Sequence, residues 1–444
     1  MDWTIVRQHE QRRVSGRIRL NDQGNNNYRQ HKPPEHTMIS SLRTGVSGLK
    51  THQTKMDVTG NNIANVNTIG FKRSRTAFTD VLGQRMLGTN RSSRGAAVNT
   101  SFVGFGVQVS SIDRNWNQGA LENTSYATDL ALNGDGFFIV SNGEREMMTR
   151  NGRFEFGADG TLINKGGLSV QGFNIDSEGN VDQSALGDIK INWSSQSLAH
   201  ATDEVTTGGN LSADAAIGDE VNISTVIYDD QGTAHTALIT YEKTADDTWG
   251  YDITYGGSLT PPAFAPTTGT MDFETDGSLT NSTPIDVTWD AEYADSSTTF
   301  AVNIENITQT SGNTTAIVRS QDGYQSGKLI GYNIAPNGMV SLNYSNGEST
   351  NQYQMAIATV NNPNGLDNVG DGQYATTASS GNMIKGRAGN EIETGIVAGA
   401  LEMSNVDLAT EFTDMIVAQR GYQAGARVIT TSDEILQETV NLKR

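Results

Sequence analysis

A chain without a single cysteine must draw any chemistry from its histidines, carboxylates, amines and hydroxyls. Three of its six histidines, His9, His31 and His36, lie in the first 37 residues; the others are His52, His200 and His235. His52 falls on a helical pattern but off its apolar stripe, His200 lies in a polar linker, and His235 sits on a predicted strand. None has a partner at the spacing by which residues share a zinc ion. The segment Gly323-Tyr324-Gln325-Ser326-Gly327-Lys328-Leu329 has the outline of a phosphate loop. It is one residue short between the glycines, and Leu329 stands where a magnesium-binding hydroxyl is needed. Asp176-Ser177-Glu178-Gly179-Asn180-Val181-Asp182 lacks the alternating ligands and closing glutamate of a calcium loop. No catalytic, cofactor-binding or metal site is expected, and the chain is read as non-enzymatic.

Composition narrows the remaining classes. Of 444 residues, 48 are glycine and 8 proline, which favours turns and short strands over a proline-rich rod. The net charge of −19 argues against binding nucleic acid or an anionic membrane. That charge is concentrated: between Ala201 and Ser380, 23 carboxylates stand against Lys243, Arg319 and Lys328, a balance of −20. Such a block belongs on a solvated surface, and Asp229 and Asp230, in the predicted turn Asp229-Asp230-Gln231-Gly232, are expected to be exposed. Met1–Thr37 carries seven basic residues and few apolar ones, with no apolar centre of a secretory signal. It is expected to be a disordered leader or a stretch upstream of a start at Met38.

The elements that would position these residues are of two kinds. From Ile39 the apolar positions alternate by three and four through Leu42, Val46, Leu49 and Met56, the stripe of a helix of about 20 residues. It is expected to span Met38–Thr59 and to stop at the run Gly60-Asn61-Asn62-Ile63-Ala64-Asn65-Val66-Asn67-Thr68-Ile69-Gly70, whose side chains compete for helical hydrogen bonds. Near the other terminus Leu408, Phe412, Met415, Tyr422, Ile429 and Leu436 mark a second such helix, of about 35 residues. Between them the pattern is that of strands and turns. Leu130–Val140 reads as a strand pair around a Gly-Asp-Gly turn, and Val221–Tyr228 with Ala234–Tyr241 as a hairpin.

Two stretches resemble the axial proteins of the bacterial flagellum, the family of rod and hook subunits. The first runs from Ser47-Gly48-Leu49 through Asn61-Asn62-Ile63-Ala64-Asn65 to Gly70-Phe71-Lys72; the second is Gly399–Leu408 with Gln419-Arg420-Gly421-Tyr422-Gln423-Ala424. Gly425 departs from the asparagine usual there. Asn133-Gly134-Asp135-Gly136-Phe137-Phe138 and Thr149–Phe154 are similar to the β-domain shared by hook and distal rod subunits, and the block around Val226–Tyr251 is similar to the extra outer domain of hooks.

The resemblance implies an α+β fold in which coiled-coil-like N- and C-terminal helices flank two mainly antiparallel β-domains, the outer one inserted into the inner. The expected division is 1–37 leader, 38–105 N-terminal helix and extended linker, 106–190 with 321–385 inner β-domain, 191–320 outer β-domain, and 386–444 C-terminal helix. The implied function is that of a hook subunit, polymerising into the curved tube that joins rod to filament and transmits torque. Alternatives are a distal rod subunit carrying an insertion and, from a different class, a secreted β-rich adhesin. Assembly would rest on Leu42, Val46, Leu49, Met56, Asn61, Asn62, Asn65, Phe71, Leu408, Phe412, Met415, Tyr422, Ile429 and Leu436. Implied partners are other copies of the chain, the distal rod, hook-cap and hook–filament junction proteins, and the flagellar type III export apparatus. The implied location is the flagellar hook, outside the cell, without a cleaved signal.

Overall fold

The computed structural model describes residues 37–85, 102–176, 178–257, 263–281, 283–290 and 299–442. The expected leader, up to residue 36, and the linker residues 86–101 lie outside them. Two long helices, α1 (Thr37–Ala64) and α2 (Leu408–Asn441), flank a body of mostly antiparallel strands. No helix among the described residues is long and apolar enough to cross a membrane.

Chain contacts divide the protein into two compact units. The smaller contains the first part of α1, the last part of α2 and residues 79–108. There α1 and α2 run antiparallel and close: the hydroxyls of Ser41 and Ser432 are 3.3 Å apart. A Cβ on Gly45 would lie 3.0 Å from Ile429, and one on Gly425 would lie 3.3 Å from Leu49. Gly425 thus serves close helix approach, where an asparagine would need room.

The larger unit, residues 52–78 and 109–419, holds most of the β-structure. Its main sheet has thirteen strands drawn from both sides of an inserted block. Ser349–Thr359 is central, pairing antiparallel with both Ser169–Ile175 and Phe137–Ser141 (Gly172 opposite Met355, Phe138 opposite Ile357). Leu130, Phe138, Phe154, Val170, Ile189 and Ile357 form the heart of its core. The inserted block adds two four-stranded sheets around Tyr241, Trp249, Phe264, Trp289 and Phe300. In Ala234–Ala245 the side chains at 235, 237, 239, 241 and 243 are all buried, the two-residue period of a strand with one face inward.

The structure differs from the sequence reading in four places. First, α1 continues past Gly60 to Ala64, because Asn62 is held by bonds from outside the helix, described below. Second, α2 begins at Leu408 and not in the 386–407 stretch; Ile384–Arg387, Gly395–Ala398 and Ala400–Glu402 are strands. Third, Leu130–Asn133 and Phe137–Ser141 do not pair with each other. The former pairs with Gly395–Ala398, the latter with three other strands. Fourth, Asp229 is buried. Its Oδ1 accepts from the backbone N–H groups of Gln231 and Thr233 at 3.0 and 2.7 Å, and its Oδ2 lies 2.9 Å from His235 Nε2. His235 therefore has a carboxylate partner six residues away, and the pair closes a hairpin turn.

Candidate assembly site at the terminal helices

The turn after α1 is built by asparagines whose side chains replace backbone partners. The Asn62 side chain accepts from Ser74 N–H at 3.0 Å and donates to Ser74 O at 2.8 Å, imitating a strand neighbour. Its amide also donates to Glu411 on α2 at 3.1 Å. Asn65 donates to Asn61 O and Oδ1 and accepts from the Thr68 hydroxyl, closing the turn on itself. Gly70 then takes φ +67° with its Cβ position only 2.7 Å from the Arg150 carbonyl carbon, so no side chain fits.

Beyond that glycine, Lys72 points into a buried charge cluster. Lys72 and Glu402 are each 1% exposed, and Arg150 is also buried. The Lys72 ammonium donates to Glu402 Oε1 at 2.6 Å and to Asn117 O at 2.9 Å. Glu402 Oε1 also accepts from Gly119 N–H at 2.8 Å, while Oε2 accepts from Arg150 Nη1 at 3.1 Å. Arg150 donates its other terminal nitrogen to Gly134 O at 2.8 Å. Burial pushes the Lys72 ammonium below the usual lysine range, and the Glu402 carboxylate partly offsets it. The Gly-Phe-Lys, Thr-Arg-Asn-Gly and Gly-Ala-Leu-Glu segments thus meet at one carboxylate, and the Asn-Gly-Asp-Gly segment joins them through Arg150. Apart from Arg150 Nε, which is buried without a partner, the polar atoms of this cluster are hydrogen-bonded, and removing one partner strands the others without water.

α2 opens on Asp407, whose carboxylate accepts from Ala409 N–H at 3.0 Å and from the Thr410 hydroxyl at 2.6 Å. The Thr410 hydroxyl, then the Ala409 N–H, holds Asp407 below the usual carboxylate range. The side of α2 that meets α1 is mostly small and polar, and of the apolar stripe Ile429 joins it against Gly45. In the larger unit it presents Glu411, which is bonded to Asn62 and ion-paired with Arg73 at 2.5 Å, and Asp414, ion-paired with Lys55 at 2.9 Å. In the smaller unit it presents Gly425 and Ser432. With the buried Ala418, residues 411, 418, 425 and 432 recur every seven positions, a seam of small and polar side chains.

Apolar residues flanking that seam remain open. Phe412 is 52% exposed, and Leu408, Ile416, Val417, Tyr422, Val428 and Ile435 are exposed as well. On α1 Val46 is exposed, and Leu42, Leu49 and Met56 are half-buried. Met415, Ile429 and Leu436 are half-buried on α2, as are Asn65 and Phe71 after α1, while Asn61 is exposed. The structure brings Leu49 to Gly425, Gly45 to Ile429 and Asn62 to Glu411. Lys72, Arg150, Glu402 and Asn405, whose amide bonds the backbones of Arg73, Asn115 and Asn117, stood in the quoted motifs with no role expected of them, while Arg73 and Glu411 escaped the sequence reading. A lone charge inside an otherwise apolar or glycine-rich motif was the available signal for Lys72 and Glu402.

Four family models match the chain: flagella basal body rod protein over residues 42–72, flagellar hook protein FlgE/F/G D1 domain over 131–212, flagellar basal body protein FlaE D2 domain over 201–324, and flagellar basal body rod FlgEFG protein C-terminal over 397–442. The flagellar hook protein FlgE of Borreliella burgdorferi is 37% identical, covering 91% of this chain and 100% of the relative. That of Treponema pallidum is 34% identical, covering 92% and 100%. The crystal structure of Helicobacter pylori flagellar hook protein FlgE2 shares the fold, with a TM-score of 0.51 at 14% identity over 64% of this chain and 100% of that one.

Proposed function

The chain belongs to the flagellar hook protein family and is a structural subunit of the hook, and on that premise we propose that it polymerises through the open apolar flanks of α2. The observation that carries this reading is the division of labour on that helix. Contact with α1 uses the seam Glu411, Ala418, Gly425 and Ser432, with Val428 and Ile429 packed beside it on Gly45, which leaves Phe412, Ile416, Val417 and Ile435 exposed. Apolar side chains left open along a long helix are what a neighbouring copy would bury. A head-to-tail contact that does not close generates an open helical array, as a tube requires.

Within this reading Leu42, Val46, Leu49, Met56, Leu408, Phe412, Met415, Tyr422, Ile429 and Leu436 belong to the helical wall of the tube. Asn61, Asn62, Asn65 and Phe71 shape the turn that carries the wall into the inner β-domain, which Glu402 secures. The acidic inserted block faces solvent, where weak repulsion between copies allows sliding as the tube bends. The subunit carries no catalytic role. It passes the flagellar type III export apparatus without a cleaved signal and meets the distal rod, hook-cap and hook–filament junction proteins at the two ends of the tube.

The test is complementation of a strain lacking the chain with wild type and with Phe412→Asp. Wild type restores hooks, and the variant is exported, folds its β-domains and builds none. Normal hooks on the variant would refute assembly through this flank.

A further inference from the structure

We propose that the cleft beside the turn after α1 is a socket for the acidic β-turn Asp246-Asp247 of a second copy of this chain, a contact that rests on the hook-subunit reading and names one of its interfaces. The cleft holds about 600 Å³ and is lined by Asn61, Asn151, Asn164, Asn368, Arg114 and Lys165 among others. The four amide oxygens are already engaged locally, accepting from Asn65 Nδ2 and from the backbone N–H groups of Arg153, Leu168 and Gly370 at 2.9–3.2 Å. Their NH₂ groups make no bond among the described residues and remain as donors. Arg114 is held over the Tyr374 ring at 5.2 Å, and Lys165 is exposed without an ion-pair partner among the described residues. Asp371 is the carboxylate of the lining. The wall therefore offers amide donors and two cations and asks for an occupant rich in acceptors.

The chain carries such an occupant on its inserted block. Asp246 and Asp247 form the tight turn between Ala234–Ala245 and Thr248–Tyr255, and both are exposed. This end of the sheet is remote from the connection to the inner domain, because the opposite end is tied to it by Thr202 N–H donating to Tyr228 O at 2.9 Å. Asp219, Glu220, Glu242 and Asp272 surround the turn, and Glu220 lies directly opposite Glu242, a pairing that costs stability. The nearby Lys243 is buried, its ammonium spent on Ala213 O and Ala215 O. The turn, its carbonyls held by Gln309 Nε2 at 2.7 Å and Phe273 N–H at 2.8 Å, is thus an exposed anion whose carboxylates have no ion-pair partner among the described residues. Because socket and knob lie on different domains, their union between copies is heterologous and can propagate.

The absence of cysteine makes the test clean. Lys165→Cys and Asp247→Cys chains are purified separately, mixed under assembly conditions and treated with a short bismaleimide. The expected result is a cross-linked dimer that forms in the mixture, is absent from either variant alone, and is lost in 1 M NaCl, where the screening length falls to about 3 Å. In parallel, Arg114→Glu with Lys165→Glu should slow polymerisation, and adding Asp246→Lys with Asp247→Lys should restore it. Wild-type tubes without a cross-link in the mixture, or charge-reversed chains that polymerise as wild type does, overturn the socket and leave the hook reading standing. Failure of wild type itself to form tubes would count against both.

Discussion

The Lys72 ammonium lies 2.6 Å from the Glu402 carboxylate, across 330 positions of sequence, and both are sealed from solvent. The first is the last residue of the Gly-Phe-Lys turn and the second ends a strand six residues before α2. This pair, with Arg150, ties the roots of both terminal helices to the inner β-domain. Glu402→Gln keeps the shape but leaves two buried cations unmatched, and is expected to cost about 3–5 kcal/mol in denaturant unfolding of the purified chain. A loss below about 1 kcal/mol would mean that water or another group compensates.

Two glycines should respond in opposite directions. Gly70→Ala forces a left-handed backbone on alanine and drives its Cβ into the Arg150 backbone, so a loss of about 2 kcal/mol or more is expected. Gly48→Ala, in helical backbone with open space around it, should gain up to about 1 kcal/mol. Thermal melts of the two isolated chains check the contrast, and equal effects would contradict it.

What was legible in the sequence was what periodicity encodes. The three-four spacing from Leu42 to Met56 and from Leu408 to Leu436 marked both helices, and alternation marked the hairpin around Asp229. The end of α1 was not legible, since Gly60-Asn61-Asn62 has the chemistry of a helix stop and is overruled by the Ser74 and Glu411 bonds to Asn62. Nor was the face that α2 turns to α1, because apolar periodicity points to the largest apolar stripe, while close helix contact here sets the glycines Gly45 and Gly425 against Ile429 and Leu49. The Lys72–Glu402–Arg150 cluster was hidden for a different reason: an isolated charge names no partner. His235 could have been paired with Asp229, because it occupies the first inward position of a strand just after an aspartate turn.

The open flanks should matter for assembly and little for the lone chain. Phe412→Asp adds a charge on an exposed position and should shift the melting of the purified chain by no more than about 0.5 kcal/mol. Leu42→Asp and Met415→Asp, half-buried, should cost more and also block tubes. Sedimentation of polymer from matched solutions separates the two effects, and a Phe412→Asp chain that pellets like wild type would be the contrary result.

The start of α2 should be acid-sensitive. Asp407 is held below the free aspartate value near 3.9 by the Thr410 hydroxyl and Ala409 N–H. A depressed carboxylate contributes stability that is complete above the unfolded value and is lost as pH falls through the lower folded one. Helical circular dichroism should therefore begin to decline below about pH 4, and Asp407→Asn, which keeps a capping oxygen without the titrating charge, should flatten that part of the profile. An unchanged profile in the variant would assign the acid response elsewhere.

The central claim, that this chain is the subunit of the hook itself, is tested most directly by electron microscopy of basal bodies from a strain lacking it. The expected particles carry a complete rod that ends without a curved tube, and wild-type chain supplied in trans restores the tube. Particles that keep a normal hook, or that lack the distal rod, would contradict the account.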